Sequence, residues 1–165
     1  HLGAMDWLPN RDGINWILND VFPEVKKIEK SAEIHIAGRA MPTKLKSRVQ
    51  DGYYNHSEIN NSLDFISKHK VMLVPLFSGS GIRVKIIEGM ALGKCIISTN
   101  VGVKGINYSN NKNILIANSE NEFIKAMCFC IQNPDKVNEI GNEAEKFALE
   151  NFSKEQITNE LKKII

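Results

Sequence analysis

The sequence has little that would point to a membrane, a nucleic acid or a disulfide framework. No apolar run approaches the roughly 18 residues of a membrane-spanning helix, and no signal peptide is apparent. A net charge of +2 is too small to predict binding to nucleic acid. Only three cysteines occur, Cys95, Cys128 and Cys130, and they form no CxxC pair. Reduced, buried thiols are therefore favoured over a metal site.

Several catalytic patterns are missing as well. No Ser-His-Asp set, no cluster with metal-ligand spacing and no carboxylate pair of the glycosidase type stands out. A dinucleotide-binding enzyme would carry G-x-G-x-x-G after its first strand, and GAMDWL at residues 3–8 does not provide it. A Rossmann oxidoreductase or sugar epimerase is therefore the weakest of the alternatives that we consider.

What is present fits one α/β domain of 165 residues. Apolar runs alternate with segments of helical periodicity, which predicts a Rossmann-like, doubly wound parallel sheet of about six strands with helices on both faces. The expected strands lie near residues 1–5, 33–38, 51–55, 71–77, 94–98 and 113–117. The expected helices cover residues 14–21, 25–30, 42–49, 59–68, 84–92, 120–132, 134–150 and 153–165. Asn10 or Asp12 is expected to cap the first helix. Ligands bind at the carboxyl ends of such strands, which places the loops at 3–13, 38–42, 76–83 and 99–107 on one edge.

The most informative stretch is VMLVPLFSGSGIRVKIIEGMALGK at residues 71–94. An apolar run typical of a buried strand is followed by a glycine loop and then by helical spacing, with Val84, Ile87 and Ala91 on one stripe and Ile86 and Met90 beside it. A strand, glycine loop and helix of this kind offer free backbone N–H groups and a positive helix end to a phosphate.

The loop and the first helical turn supply candidate ligands for that anion. The N–H groups of Gly81, Ile82 and Arg83 are the expected donors, and Arg83 and Lys85 add positive charge. The alternative is a flexible turn in which Ser80 only caps the helix.

Glu88 follows one turn later, with its Cα–Cβ bond tilted back toward the helix start. A carboxylate there suits a ribose, because its two oxygens could accept hydrogen bonds from both ribose hydroxyls. The alternative is an exposed ion pair with Lys85.

Residues 88–99, EGMALGKCIIST, resemble the donor-site motif of family 4 (group 1) retaining glycosyltransferases of the GT-B fold. That motif has a Glu, seven residues, a second Glu, and then Ala/Gly-Met-Ala-x-Gly-x-Pro-Val-Val-x-Thr. Glu88 matches the second Glu, whereas Ser80 stands at the first acidic position and Cys95 at the usual proline.

The resemblance implies that residues 1–165 are the C-terminal, nucleotide-sugar-binding domain of such an enzyme, cut from a longer chain whose N-terminal acceptor domain is absent. Glu88 would hold the ribose, and Ser80 would face the transferred sugar in the catalytic position. Gly81, Ile82, Arg83 and Lys85, with Gly3 and Arg11 near the first loop, would hold the diphosphate. The donor would be a UDP- or GDP-sugar, and no metal would be required. The nucleobase is expected near Gly38 and Arg39, with Tyr53 and Tyr54 as candidate contacts.

The function expected from this resemblance is sugar transfer in polysaccharide biosynthesis to a glycan, lipid-linked or other acceptor. We expect a cytoplasmic location, with the inner face of a membrane as the alternative, and no activity from the 165 residues alone. A serine cannot stabilise developing positive charge as a carboxylate does. A non-catalytic binding module of glycosyltransferase type therefore remains the main alternative.

Overall fold

The computed structural model describes residues 1–153 and 156, and it confirms an α/β chain in which parallel strands alternate with helices. The strands are β1 (Ile34–Ala37), β2 (Tyr53–Ser57), β3 (Val71–Val74), β4 (Cys95–Ser98) and β5 (Leu115–Ile116). The helices are α1 (Leu8–Trp16), α2 (Phe22–Ile28), α3 (Thr43–Lys46), α4 (Ser62–Ser67), α5 (Val84–Ala91), α6 (Glu120–Gln132) and α7 (Pro134–Phe152), and a π-helical turn (Ile17–Val21) joins α1 to α2. The helix expected at 153–165 lies outside the described residues.

The strands form two parallel sheets, β1–β2 and β3–β4–β5. The first residues of the chain lie between them: Leu2 forms a parallel bridge with Ala37 of β1, and His1 Nδ1 lies 2.9 Å from the carbonyl oxygen of Leu73 in β3. On the amino-terminal side of this contact, a groove of about 490 Å³ separates the facing edges of β1 and β3. Within the described residues there are thus five strands, and the bridge at Leu2 takes the place of the first of the six strands expected.

Two hydrophobic cores cover the two faces of the β3–β4–β5 sheet, as a doubly wound fold requires. The side chains of a strand alternate between faces, so that Leu73 and Ile97 pack with α1, α2 and α6. Met72 and Ile96 point the other way and pack with α5 and α7. The long apolar runs of the sequence are explained by this burial on both faces.

Helix α1 starts earlier than the sequence suggested. It begins at Leu8 with Pro9 in its first turn, and Trp7 is the N-cap without a side-chain hydrogen bond. The prediction that Asn10 or Asp12 caps this helix is wrong, because Asn10 lies inside the first turn and is buried. Helix α2 begins at Phe22 with Pro23 in its first turn, where the fixed φ angle of proline is tolerated.

Two further details concern β2 and α5. Strand β2 starts two residues later than predicted, so that Tyr53 and Tyr54 lie at its beginning. In α5 the buried positions are Ile86, Gly89 and Met90, whereas Val84 is 63% exposed and Ala91 is also exposed. The buried row of α5 thus runs through Ile86 and Met90, which belong to the second core, and Val84 lies outside it. Within the described residues, no helix is both long and apolar enough to cross a membrane.

Candidate functional site

The loops that follow β3 and β4 meet at the carboxyl-terminal edge of their sheet. The hydroxyl of Thr99 donates to the carbonyl oxygen of Leu76 and accepts a 3.0 Å hydrogen bond from the N–H of Gly102. A Cβ atom on Gly105 would lie 3.0 Å from Ile82, so the second loop also packs against the residues that precede α5. The loop before α5 is thus fixed in place by the loop after β4.

Two glycines give the loop before α5 its shape. Gly79 has a φ of +111° and Gly81 a φ of +81°, in the region that favours glycine. A Cβ atom on Gly79 would lie 2.5 Å from Nη2 of Arg83, whereas one on Gly81 would meet nothing within 4 Å. The space beside Gly81 is therefore open to a ligand.

Helix α5 begins at Val84, and its N-cap is Arg83 rather than Ser80. The alternative in which Ser80 caps the helix is therefore wrong, and Ser80 is exposed in the loop. The first N–H groups of a helix have no partner within the helix. In α5 these include the N–H groups of Val84 and Lys85, which add to the expected donors Gly81, Ile82 and Arg83.

Arg83 is buried at the start of α5, with 9% of its surface exposed. Its Nη1 donates to the carbonyl oxygen of Ser80, and its Cζ lies 5.0 Å from the ring centroid of Trp7, a cation–π distance. The remaining nitrogens, Nε and Nη2, are buried without a hydrogen-bond partner. Buried donors that lack a partner are costly, so this guanidinium is suited to an added acceptor.

Lys85 reaches back toward the first loop of the chain. Its ammonium donates to Oδ1 of Asn10 at 2.7 Å and to the carbonyl oxygen of Leu2 at 3.2 Å. Burial, and second the charge of Arg83, lower the pKa of Lys85 from 10.5 to about 7. The ammonium is thus desolvated, and an added anion would favour its protonated form.

Glu88 lies three residues after Lys85 and therefore on the same side of α5, one turn along. The expected alternative, an ion pair between Lys85 and Glu88, does not form, because the ammonium of Lys85 is engaged by Asn10. Glu88 is half-buried and its carboxylate has no hydrogen-bond or ion-pair partner among the residues that the structure describes. This carboxylate is thus available to hydroxyl groups of a ligand.

Gly3 lies against Asn10, and Arg11 follows Asn10 in α1. A Cβ atom on Gly3 would lie 2.5 Å from Nδ2 of Asn10, so the glycine makes room for that amide. Arg11 is in the second turn of α1, four residues after Trp7 and hence on the same helix face. Its side chain makes no ion pair within the described part of the chain.

Tyr53 and Tyr54 do not belong to this edge. Because β2 runs parallel to β1, its first residues lie at the amino-terminal ends of the strands, where Tyr53 pairs with Ile34. The hydroxyl of Tyr53 donates to the carbonyl oxygen of Leu45 and that of Tyr54 to Glu33. The suggested contact of these tyrosines with a nucleobase is therefore wrong. Gly38, which does lie at the carboxyl end of β1, donates to the carbonyl oxygen of Ser57.

Two residues of this edge were missed by sequence reasoning. Trp7 was not considered, and Asn10 was expected to act as a helix cap. Both contact side chains that follow about 75 residues later in the chain, and no local pattern signals such a contact. The one signal in the sequence was the position of Asn10 close to the first loop, which contains Gly3.

Comparison of the chain with protein-family models identifies a family. The family model described as "Glycosyl transferases group 1" matches residues 1–133. An uncharacterized 44.6 kDa protein in the cps region of Klebsiella pneumoniae is 26% identical over 163 residues, which cover 92% of this chain and 42% of that protein. This chain thus spans less than half of the relative's length.

Two solved structures show the same fold at low identity. A mutant of S. aureus TarM, in complex with fondaparinux, alpha-GlcNAc-glycerol and UDP, has a TM-score of 0.81 at 18% identity, covering 99% of this chain and 34% of TarM. HepE of Anabaena in complex with UDP has a TM-score of 0.72 at 12% identity, covering 87% of this chain and 44% of HepE.

Proposed function

The chain belongs to the group 1 glycosyl transferases, and we propose that it is the part of a longer, retaining enzyme that binds the nucleotide-sugar donor. One observation carries this proposal. Two cations without carboxylate partners, Arg83 and Lys85, flank an open helix start, and the unpaired carboxylate of Glu88 follows one turn later on the same helix, all within the described residues. A nucleoside diphosphate has the same order of charges and hydroxyls, because its phosphates are joined directly to a ribose.

In this proposal each group has one task. Nε and Nη2 of Arg83 and the ammonium of Lys85 bind the diphosphate, together with the N–H groups near Gly81 and Ile82. These groups stabilise the negative charge of the nucleotide diphosphate as it leaves. Glu88 accepts hydrogen bonds from the ribose hydroxyls.

The residues at the rim of the site have less defined tasks. Ser80, exposed beside the open space at Gly81, faces the sugar and can hydrogen-bond it, but it cannot stabilise an oxocarbenium charge as a carboxylate would. Gly3, in the loop after the first bridge, and Arg11, in α1, lie next to the diphosphate. The acceptor site is then contributed by the part of the enzyme outside these 165 residues.

The relatives guide the choice of ligands. HepE and TarM were both solved in complex with UDP, which favours UDP over GDP as the first nucleotide to test. The relative in the cps region of Klebsiella pneumoniae favours a glycan of a surface polysaccharide as acceptor. Both inferences come from other proteins and await measurement on this one.

The proposal is tested by binding of UDP and 2′-deoxy-UDP to the wild-type chain, Glu88→Ala and Glu88→Gln, measured by calorimetry. If Glu88 holds the ribose, the wild type binds UDP about tenfold more tightly than the deoxynucleotide, since a hydrogen bond to a charged group contributes about 1.5–3 kcal/mol. In Glu88→Ala this difference disappears. In Glu88→Gln, which keeps one acceptor oxygen, part of it remains.

Two results would contradict the proposal. If the ratio of the affinities for UDP and 2′-deoxy-UDP were the same in the wild type and in Glu88→Ala, Glu88 would not contact the ribose. Tighter binding of NAD than of UDP, GDP or ADP would favour the oxidoreductase alternative instead.

A second candidate function is favoured by Ser80 alone. If the missing carboxylate has abolished transfer, the chain belongs to a binding module that recognises nucleotide sugars without turning them over. Activity of the full-length protein distinguishes the two. An inactive wild type that gains transfer activity in a Ser80→Glu variant would establish the module, whereas an active wild type would exclude it.

A further inference from the structure

The two cations at the start of α5 are each held by a neutral side chain from the start of α1. Oδ1 of Asn10 accepts from the Lys85 ammonium at 2.7 Å, and the ring of Trp7 lies 5.0 Å from the Arg83 guanidinium carbon. Trp7 is the N-cap of α1, and Asn10 lies in its first turn. One short segment, residues 7–10, thus contacts both cations.

These contacts fix the cations without neutralising them. Within the described part of the chain, no carboxylate lies within 4.0 Å of a charged nitrogen of Arg83 or Lys85. Asp6, the carboxylate next to Trp7, lies 3.5 Å from Nη2 of Arg39 instead. We call Trp7 and Asn10 the neutral cradle. Because a buried cation without an anion is costly, the neutral cradle stabilises the folded chain less than acidic side chains in its place would. It leaves both charges available to a ligand.

The orientation of Asn10 is itself fixed by its surroundings. Its side chain is buried, with 5% of the residue exposed, and its Nδ2 donates to the carbonyl oxygen of Ala4 at 3.0 Å. The missing Cβ of Gly3 leaves the room for this amide. With Nδ2 engaged by Ala4, Oδ1 necessarily faces the ammonium of Lys85.

From this geometry we propose that Asn10 and Trp7 are positioning residues that hold Lys85 and Arg83 in place and keep both charges for the diphosphate of the donor. The identity of the anion rests on the proposed function, whereas the role of the two neutral side chains does not. An aspartate would fit the place of Asn10 in shape. It would, however, pair with Lys85 and cancel the charge that the diphosphate needs.

The experiment compares Asn10→Asp with the wild type and with Asn142→Asp, a matched control that adds the same charge at an exposed position of α7. Each protein is titrated with UDP and with inorganic pyrophosphate, and the pKa of the Lys85 amine is followed by ¹⁵N NMR. In Asn10→Asp we expect binding of both anions to weaken by about tenfold or more. The pKa of Lys85 should rise toward its ordinary value, and the control should match the wild type.

Trp7 supplies an independent test that does not depend on how well the aspartate is tolerated. The residue is 36% exposed, so Trp7→Leu and Trp7→Phe should both fold. Loss of the aromatic face in Trp7→Leu should weaken pyrophosphate binding by about two- to tenfold, and Trp7→Phe should retain most of it.

The possible results separate this inference from the proposed function. Wild-type binding of pyrophosphate but of no nucleotide would contradict the nucleotide-sugar proposal and leave the role of the cradle intact. Unchanged affinity and unchanged Lys85 pKa in Asn10→Asp, or equal binding by Trp7→Leu and Trp7→Phe, would overturn the inference. Absence of binding for every anion to the folded wild type would overturn both.

Discussion

The charged ammonium of Lys85 is desolvated, and its hydrogen-bond partners carry no charge. Its ammonium lies against a carbonyl oxygen and an amide oxygen, and its pKa is lowered to about 7, by burial first and by Arg83 second. A bound diphosphate would raise this pKa, because an opposite charge favours the protonated amine. Donor binding above pH 7 should therefore take up a proton.

This linkage predicts that affinity for a UDP-sugar falls as the pH rises from 7 to 9, by at most about tenfold per pH unit for one proton. A UDP-sugar is the better probe, because the terminal phosphate of UDP itself titrates near pH 6. Calorimetry in two buffers of different ionisation enthalpy measures the proton uptake directly. Lys85→Gln should bind more weakly and show no pH dependence over this range. A wild-type affinity that stays constant from pH 7 to 9 would contradict the role of Lys85.

A second group of titratable residues lies away from the site, beside the groove between β1 and β3, where β1 and β2 meet α4. Nδ1 of His35 and Nε2 of His56 are 2.9 Å apart, and the ring of His69 lies 4.7 Å from that of His35. Glu33 is the nearby acid, 3.6 Å from Nε2 of His35. Burial first, with His35 as a further cause, lowers the pKa of His56 and of His69 below 6.5. These residues do not form a metal-binding group within the described chain.

These lowered pKa values fix the direction of an acid effect. The unfolded chain binds protons at these histidines more readily than the folded chain, so their contribution to stability is present above pH 6.5 and is lost as the pH falls below it. Protonation of both rings would also remove the hydrogen bond between His35 and His56. Thermal unfolding from pH 7 to pH 5 should therefore show a steeper fall in Tm for the wild type than for His56→Gln. Parallel curves would show that the pair does not contribute.

At the scale of elements, the position of α1 sets the position of the site. Gly13 lies where α1 crosses the end of β3, and a Cβ atom there would lie 1.8 Å from the carbonyl oxygen of Pro75. Gly141 has the same role at the opposite side of the fold, where a Cβ atom on α7 would lie 2.2 Å from the carbonyl oxygen of Gly93. Each glycine allows a helix to approach the backbone of another segment closely.

The two glycines therefore form a matched pair of tests. Gly13→Ala and Gly141→Ala should each lower the free energy of unfolding by about 1–3 kcal/mol, because the backbone must move apart. Only Gly13→Ala should also weaken UDP binding, since Trp7 and Asn10 move with α1. Denaturant unfolding and calorimetry on both variants check this. Normal UDP affinity in a destabilised Gly13→Ala variant would show that α1 does not position the site.

The elements also show where sequence reasoning succeeds. Strands β3 and β4 were predicted because burial on both faces leaves a continuous apolar run. Strand β2 was misplaced by two residues because it alternates only weakly between half-buried and exposed positions. In α5 the stripe of Ile86 and Met90 is the buried one, whereas Val84 at the start of the helix is exposed. The periodicity of a sequence predicts that a helix forms, but it does not predict how much of that helix is covered by the rest of the fold.

The site was only partly accessible to the same reasoning. The segment around Arg83, Lys85 and Glu88 is continuous in sequence and could be recognised from the glycine loop and the helix that follows. The neutral cradle of Trp7 and Asn10 could not, because it forms only when α1 and α5 meet at the edge of the sheet. Long-range contacts of this kind depend on the packing of the whole fold.

At the scale of the whole molecule, the small net charge of +2 hides an uneven distribution. The exposed ion pairs, such as Lys27 with Glu24 and Lys136 with Glu139, contribute little to stability. Among the described residues, Arg83, Lys85 and Arg11 lie at one edge without carboxylate partners. The total charge therefore argues against a nucleic-acid surface, and the location of the charges favours a small anionic ligand.

The size of the chain gives a further prediction. The chain spans 42% of the relative from Klebsiella pneumoniae, and in our proposal the acceptor site lies in the remainder. The purified chain should therefore bind a UDP-sugar and release no sugar from it, which incubation with radiolabelled UDP-glucose and chromatography would show. Addition of acceptor glycans should not change this result. Measurable turnover by the 165-residue chain would contradict this division of labour.

The most direct test of the central claim is a titration of the ¹⁵N-labelled chain with UDP, followed by amide NMR. We expect saturable shifts at residues 79–88 and at the side-chain amide of Asn10, and Glu88→Ala should need about tenfold more UDP to reach saturation. The groove between β1 and β3 should stay unaffected. Saturable shifts confined to that groove, or no shifts at millimolar UDP, would contradict a nucleotide site at the start of α5.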